Sequence, residues 1–394
     1  MMRLTVVIFL VLCASCESPG GTVSGERREM VAAPNGSGEG GQAGGPTFGT
    51  LNTIQAMRMQ SLSPQEDRPF FMLNLVKYRE QAVYPDGRET NLTGREADQQ
   101  YSPMEFLAAV GAEIAYAGAV EAQLAGSEPT WETVAIVRYP SRAKFFQMTT
   151  NRQYQAREQH KEAGLEISQV MVTVPVPWVI SAEQTAAVND IPFPATDQDK
   201  AFTLLDLAKY KDVAQYPAGN VEPERSGREA MDLFEQALLA ILGDVGARPI
   251  MKARVEGVLI GDGREWSELR MIHFPSHSAY RELRNKLRSG NARYHRTAAI
   301  EDIYTLQLKP MIDRTEESVA RRDENGAVSF GSTSPDPSRA PMILGSLDKD
   351  NDSKISESEA PADMKQNFAF IDTNGDGGID LAELRKVLTM MRNR

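Results

Sequence analysis

Hydrophobic and polar positions change their spacing along the middle of the chain, and these changes predict its secondary structure. Runs rich in β-branched and aromatic residues predict strands at residues 70–78, 120–125, 131–139 and 165–175. Apolar side chains at helical spacing predict one helix over residues 103–117. A second helix begins at Ser141, whose hydroxyl suits an N-cap. The predicted order is β-α-β-β-α-β, the ferredoxin-like arrangement.

This pattern occurs twice in the chain. Residues 73–87 align with residues 205–219 at a constant offset of 132 (205 − 73). From Trp131 onward, which matches Trp266, the offset is 135 (266 − 131). Such internal similarity predicts a duplicated unit of roughly 115 residues, a length typical of one domain. The predicted units occupy residues 66–182 and 200–312, with a connector at 183–199.

A sheet that carries helices on one face must bury its other face elsewhere. Two such units in one chain bury their bare faces by packing them together. The sequence therefore predicts an α+β fold in which two ferredoxin-like units form an intrachain pseudo-dimeric barrel.

Several short motifs in the two units resemble those of a known superfamily. They are Leu-Asn-Leu-Val-Lys-Tyr at 73–78, Trp131 and Tyr-Pro-Ser at 139–141, and in the second unit Leu-Asp-Leu-Ala-Lys-Tyr at 205–210, Trp266 and Phe-Pro-Ser at 274–276. Together they resemble the dimeric α/β-barrel superfamily, in particular a bacterial family of uncharacterised small domains. The resemblance covers both units and implies the barrel. It implies no single function, because the superfamily includes cofactor-free oxygenases, decarboxylases, isomerases and members without known activity.

Two stretches of twelve residues near the end of the chain have the spacing of EF-hand calcium loops, which supply oxygens from positions 1, 3, 5, 7, 9 and 12. In residues 348–359 these positions hold Asp348, Asp350, Asp352, the carbonyl of Lys354, Ser356 and Glu359. In residues 372–383 they hold Asp372, Asn374, Asp376, the carbonyl of Gly378, Asp380 and Glu383. Both loops end in a glutamate that suits bidentate coordination, so the sequence predicts Ca²⁺ as the bound ion. Ordinary solvated acidic loops are the alternative.

Position 6 differs between the two loops. Gly377 takes the sharp turn of the second loop easily, whereas Ser353 must adopt a positive φ at a cost of about 1 kcal/mol. We therefore expect the first site to be the weaker one. At position 8, Ile355 and Ile379 are expected to pair. Residues 342–394 resemble the compact EF-hand pairs of secreted bacterial proteins, which implies a small all-α domain after a linker at 313–341.

The first sixteen residues resemble an export signal. Arg3 precedes an apolar run at residues 4–12 that is too short to span a bilayer. Cys16 follows small residues, as at a bacterial lipoprotein processing site, so a lipid anchor at Cys16 is expected. Ordinary cleavage and release is the alternative. Residues 17–65 are rich in glycine and serine and predict a flexible linker.

Charge and histidine content narrow the possible functions. The net charge of −11 argues against nucleic-acid binding by phosphate neutralisation. The chain has only four histidines, and two of them, His160 and His295, recur at the same place in both units. Each is a candidate general base at a barrel mouth. The alternative is a hydrogen-bonding role at the turn between helix and strand.

These observations favour a calcium-binding, exported, lipid-anchored envelope protein whose barrel binds a small molecule or serves as a scaffold. The alternative is a cofactor-free barrel enzyme that acts on a small, partly apolar substrate, with His160 or His295 as its base. A third hypothesis is an interaction module that exposes apolar residues of the calcium-loaded tail, which otherwise pack in its core: Met364, Phe368, Leu384, Leu388 and Met391. A structural and a regulatory role for calcium both remain open.

Overall fold

The computed structural model describes residues 46–176, 178, 191–219, 222–288, 290–320, 340–350, 352–360, 364–365 and 368–392. The predicted export signal with Cys16 lies outside the described residues. So do residues 17–45 and 321–339 of the two predicted linkers and residues 183–190 of the predicted connector.

The chain contains both strands and helices. The strands are β1 (Thr50–Leu51), β2 (Phe70–Tyr78), β3 (Glu113–Ala125), β4 (Thr133–Tyr139), β5 (Leu165–Pro175), β6 (Phe202–Tyr210), β7 (Arg248–Gly261), β8 (Glu268–Phe274), β9 (Ile300–Asp313), β10 (Ile355–Ser356) and β11 (Gly378–Ile379). The helices are α1 (Thr53–Gln60), α2 (Gly94–Tyr101), α3 (Met104–Ala109), α4 (Arg142–Thr149), α5 (Arg152–Gly164), α6 (Gly227–Leu242), α7 (His277–Arg288), α8 (Ala292–Ala299), α9 (Thr315–Ala320), α10 (Ala340–Leu347), α11 (Phe368–Ile371) and α12 (Leu381–Arg392).

Strands β2 through β9 close into one antiparallel barrel. Their order around the barrel is β7-β5-β2-β4-β3-β9-β6-β8, and β8 pairs back with β7. The pairings β5–β7 and β3–β9 join the first half of the chain to the second. This closure confirms the prediction of a mixed α and β chain in which both halves contribute to one barrel.

The two halves use the same strand register. In the first half β3 pairs with β4 through Glu113↔Arg138 and Ala117↔Ala135. In the second half β7 pairs with β8 through Arg248↔His273 and Lys252↔Arg270, so each partner lies 135 residues further along. The repeat seen in the sequence is therefore also a repeat of backbone pairing.

The interior of the barrel is filled with side chains. Alternate residues of β2 and β6 point inward, among them Leu73, Leu75 and Leu205, and all three are fully buried. Trp131 and Trp266 lie in the same core, with ring centroids 5.8 Å and 5.1 Å from that of Tyr304. The lumen is thus a packed hydrophobic core.

The outward faces of the strands pack against helices. Phe70 and Met72 of β2 join residues of α3, α4 and α5 in one core cluster. Phe202 and Leu204 of β6 join residues of α6 and α7 in a second cluster. Each half therefore has its own layer of helices over the outer face of the barrel.

The helix predicted over residues 103–117 is wrong in its second part. Helix α3 ends at Ala109, and β3 begins at Glu113. Gly111 has φ of +73°, and the amide of Ala112 donates to the carbonyl of Leu107, so the chain leaves the helix through a left-handed glycine. The sequence reasoning also missed α2, although Thr93 and Glu96 form a capping box at its start.

The flexible linker predicted over residues 17–65 is wrong for its last part. Residues 50–60 form β1, which pairs with the end of β7, and α1, which is capped by Asn52. Phe48 and Met59 are buried against the first half of the barrel. Glycine and serine content does not predict this order, because apolar side chains anchor the segment to the barrel. We call residues 46–62 the N-terminal strap.

Candidate functional sites

Residues 348–359 form a tight loop in which carboxylate oxygens converge. One oxygen each from Asp348, Asp350 and Asp352 lies within 4.8 Å of the others. Glu359, at the end of the loop, accepts hydrogen bonds from the amides of Lys349 (2.7 Å) and Ser356 (2.8 Å). The bonds from Ser356 lower the pKa of Glu359 to about 2, so this carboxylate is ionised at neutral pH.

Residues 372–383 repeat the hydrogen bonding of the first loop. Asp372 accepts hydrogen bonds from the amides of Gly375 (2.8 Å) and Gly377 (3.0 Å). Glu383 accepts from the amides of Thr373 (2.8 Å) and Asp380 (3.0 Å), as Glu359 does in the first loop. Backbone amides thus fix the first and last acidic residues of both loops, and their oxygens suit a hard cation such as Ca²⁺.

The two loops are joined by a short antiparallel ladder. Ile355 pairs with Ile379, as predicted from their shared position in the loops. A side-chain bond adds to the ladder, since the ammonium of Lys354 lies 2.6 Å from Asp376. The prediction of an all-α domain needs correction on this point, because β10 and β11 form a small sheet.

The backbone at position 6 agrees with the predicted turn in both loops. Ser353 has φ of +69° and Gly377 has φ of +84°. Serine at such an angle is strained, whereas glycine adopts it freely. This difference is the basis for expecting unequal affinity in the two loops.

The apolar residues proposed for an exposed patch on the tail are instead mostly internal. Met364, Phe368, Leu384 and Leu388 are all buried in one cluster with residues of α10. The side chain of Met391 lies outside the described residues. Met57 of α1 belongs to the same cluster, so the strap contacts the tail.

His160 and His295 have matching roles. His160 Nδ1 lies 2.8 Å from the hydroxyl of Tyr84, and His295 Nδ1 lies 2.8 Å from the hydroxyl of Tyr216. In both pairs the rings meet edge to face. Neither histidine lines the cavity described below, and the lumen is filled with side chains. These contacts fit the alternative of a hydrogen-bonding role between helix and loop.

A cavity of about 340 Å³ lies between the outer face of the first half and its helices. Its floor is formed by residues of β2 and β4, including Met72, Asn74 and Ala135. Helices α3, α4 and α5 and the N-terminal strap surround it. Leu347, the last residue of α10, completes the wall beside Met57. Most of these side chains are apolar, so the cavity suits a small molecule.

One end of the cavity is polar. Burial raises the pKa of Glu158 to about 7, despite opposing effects of Lys161 and Tyr154. Burial also raises the pKa of Asp98. The ammonium of Lys161 lies 5.6 Å from the ring centroid of Tyr101. The hydroxyls of Tyr101 and Tyr154 are hydrogen-bonded to each other. Donors and acceptors therefore meet in a partly desolvated space.

The sequence reasoning missed this cavity, although two local signals point to it. The first is Pro103, which follows Ser102 (φ +34°) and separates α2 from α3, whereas the matching α6 is continuous over sixteen residues. The second is the small size of Ala135, a lining residue whose counterpart in the second half is Arg270. Both signals become visible only when the sequences of the two halves are aligned.

A scan against protein-family models gives no match, and a search of curated proteins gives none either. Two solved structures of one protein of unknown function from Rhodopseudomonas palustris, the first in methylated form, align at 31% and 28% identity. Each alignment covers 33% of this chain, with 97% and 98% of the other chain and a TM-score of 0.30. A mutant chlorite dismutase from Candidatus Nitrospira defluvii aligns at 9% identity over 64% of this chain and 95% of its own, with a TM-score of 0.36.

Structural similarity at TM-scores this low gives no information about function. The barrel of this chain is established by its own strand pairings. Among the described residues, none of the helices combines the length and the apolar character needed to cross a membrane.

Proposed function

We propose that this protein binds calcium through an EF-hand pair at its C-terminus. The observation that carries the proposal is the matched hydrogen bonding of the two loops. Glu359 and Glu383 are held by amides from both ends of their loops, and Asp348 and Asp372 accept amide bonds from within them. This bonding supports the proposal because it orients the first and last carboxylates of each loop, and in the first loop the oxygens of Asp348, Asp350 and Asp352 also lie within 4.8 Å of one another.

Calcium bound at these loops stabilises the folded tail by mass action, because the unfolded chain lacks the gathered oxygens. Extracellular modules of this kind typically bind at about 10⁻⁴–10⁻³ M. At ambient calcium in that range the ion is a permanent structural part of the tail. A regulatory role requires tighter and reversible binding.

The rest of the proposal concerns location and the barrel. The protein is exported and anchored in the envelope by a lipid on Cys16, and its barrel, built from two ferredoxin-like units, is a small-molecule-binding module. Incorporation of a labelled fatty acid that is lost in Cys16→Ser tests the anchor. Equal labelling of the two proteins, or no labelling of either, contradicts it.

Calorimetric titration of the chelator-stripped protein tests calcium binding. Two sites are expected, and Glu383→Gln should abolish the tighter one, because glutamine offers only one oxygen for coordination. Glu357→Gln is the matched control, since Glu357 is exposed and occupies no ligand position. Absence of heat after stripping, or equal loss in both variants, contradicts the proposal.

A further inference from the structure

We infer that the cavity beside Ala135 is a binding site for a small, uncharged amphipathic molecule with an aromatic or cyclic apolar body and a hydroxyl head. This inference builds on the proposed small-molecule-binding role of the barrel and gives it a place outside the lumen. The observations that support it do not involve the loop carboxylates, so either proposal can fail without the other.

The apolar part of the cavity determines which kind of ligand body fits. Its volume of about 340 Å³ is near the lower end of typical small-molecule sites. Met72, Val137 and Phe145 contribute apolar surface from the barrel face and from α4. Since methionine and aromatic side chains pack well on flat rings, a cyclic body of about ten heavy atoms fits this space.

The polar end determines which kind of polar head group the ligand carries. A carboxylate there would lie near Asp98 and Glu158, and an ammonium would lie near Lys161. A hydroxyl avoids both repulsions, because it donates to a carboxylate and accepts from Lys161 or a tyrosine hydroxyl. The raised pKa values of Asp98 and Glu158 accord with the exclusion of an anionic head, because burial at this end disfavours negative charge.

The N-terminal strap forms part of the cavity wall and is held in place by hydrogen bonds. The amide and hydroxyl of Thr47 donate to buried Glu162 on α5, at 3.0 Å and 2.7 Å. This anchor places Phe48 over the polar end, where its ring centroid lies 5.3 Å from the ammonium of Lys161. The strap therefore covers part of the polar end, where Asp98, Glu158 and Lys161 remain partly exposed.

The test is a calorimetric titration of the full protein with four matched probes. These are 4-propylphenol, propylbenzene, 3-phenylpropanoate and 3-phenylpropylamine. We expect 4-propylphenol to bind, and propylbenzene to bind about three- to tenfold more weakly because it lacks the hydrogen-bonding head. Tighter binding of the anion or the amine overturns the assignment of an uncharged ligand, and absence of binding by all four overturns the site.

Two variants locate the binding. Ala135→Leu fills the floor of the cavity and should reduce the affinity for 4-propylphenol at least tenfold. Tyr154→Phe keeps the packing but removes a hydroxyl, so a three- to tenfold loss is expected. Tyr294→Phe, on α8 outside the cavity, is the control and should bind as the unmodified protein does. Unchanged affinity in Tyr154→Phe overturns the proposal even if Ala135→Leu does not fold.

Discussion

The two halves of the barrel share one strand register but fill the space beneath their helices differently. In the first half the paired residues Ala117 and Ala135 are both small, and a cavity lined by Ala135 remains. In the second half the matching positions hold Lys252 and Arg270, and their charged groups occupy the space under α6. The halves also differ above this layer, because the first helix segment is interrupted at Pro103 and α6 is not.

The buried charges of the second half are well partnered. Lys252 lies 2.9 Å from Glu235, and Arg270 donates to the hydroxyl of Tyr210 at 2.9 Å. Tyr210 in turn donates to Glu268 at 2.7 Å. The same backbone thus supports a sealed ionic network in one half and an open cavity in the other.

The largest expected effect is on the ionic network. Arg270→Ala should lower the free energy of unfolding by about 3–5 kcal/mol, because it leaves Glu268 and Glu235 short of a buried partner. Denaturant unfolding measures this loss. Arg95→Ala, which breaks an exposed pair with Glu132 in the first half, is the control and should cost less than about 1 kcal/mol. Equal losses would contradict the contrast between the halves.

A smaller effect is expected at the polar end of the cavity. The pKa of Glu158 is raised from 4.5 to about 7, so the folded state holds a proton that the unfolded chain releases. Stability therefore falls as the pH rises from 4.5 to 7, and the loss is complete above that window. Glu158→Gln removes this loss and should raise the free energy of unfolding at pH 8 by about 2 kcal/mol, discounted for partial exposure.

The same comparison at pH 4 checks the sign of this prediction. At pH 4 residue 158 is uncharged both in the unmodified protein and in Glu158→Gln, so the gain in the free energy of unfolding should vanish. The groups facing Glu158 are Lys161, Glu162 and the tyrosine pair, and they are unchanged in the variant. Exposed Glu105→Gln should show no pH-dependent gain. A gain of the same size at both pH values would contradict burial as the cause.

The smallest expected effect links the cavity to the calcium loops. Leu347 lines the cavity and directly precedes Asp348, and Met57 lies both in the cavity wall and in the core of the tail. Loading the loops with calcium should therefore tighten 4-propylphenol binding, by about fivefold. Titration with calcium and with chelator measures this factor. Identical affinities for 4-propylphenol with calcium and with chelator would show that the cavity wall does not respond to the ion.

The sequence predicts the repeated parts of the molecule well. The bounds of β2 and β5 match residues 70–78 and 165–175, because both strands are rich in β-branched, aromatic and other apolar residues. The duplication predicts that both halves join one barrel. The proposed loop ligands rest on a fixed spacing, and the positive φ of Ser353 agrees with that spacing.

The cavity could not be predicted in the same way. Its floor includes the small Ala135 of β4, whose pairing with β3 depends on a register shift that the sequence does not show. The strap escaped prediction because its few apolar residues are diluted by glycine and serine in the surrounding sequence. The partners of His160 and His295 also lie far along the chain, at Tyr84 and Tyr216.

The methyl NMR spectrum of the methionines, recorded during titration with 4-propylphenol, tests the contrast between the halves most directly. Met72 and Met148 line the cavity, Met231 lies under the helices of the second half, and Met251 and Met271 lie in the lumen. The signals of Met72 and Met148 should shift with saturation while the other three stay in place. Shifts at Met251 and Met271, or at Met231, would place the ligand elsewhere and contradict the account.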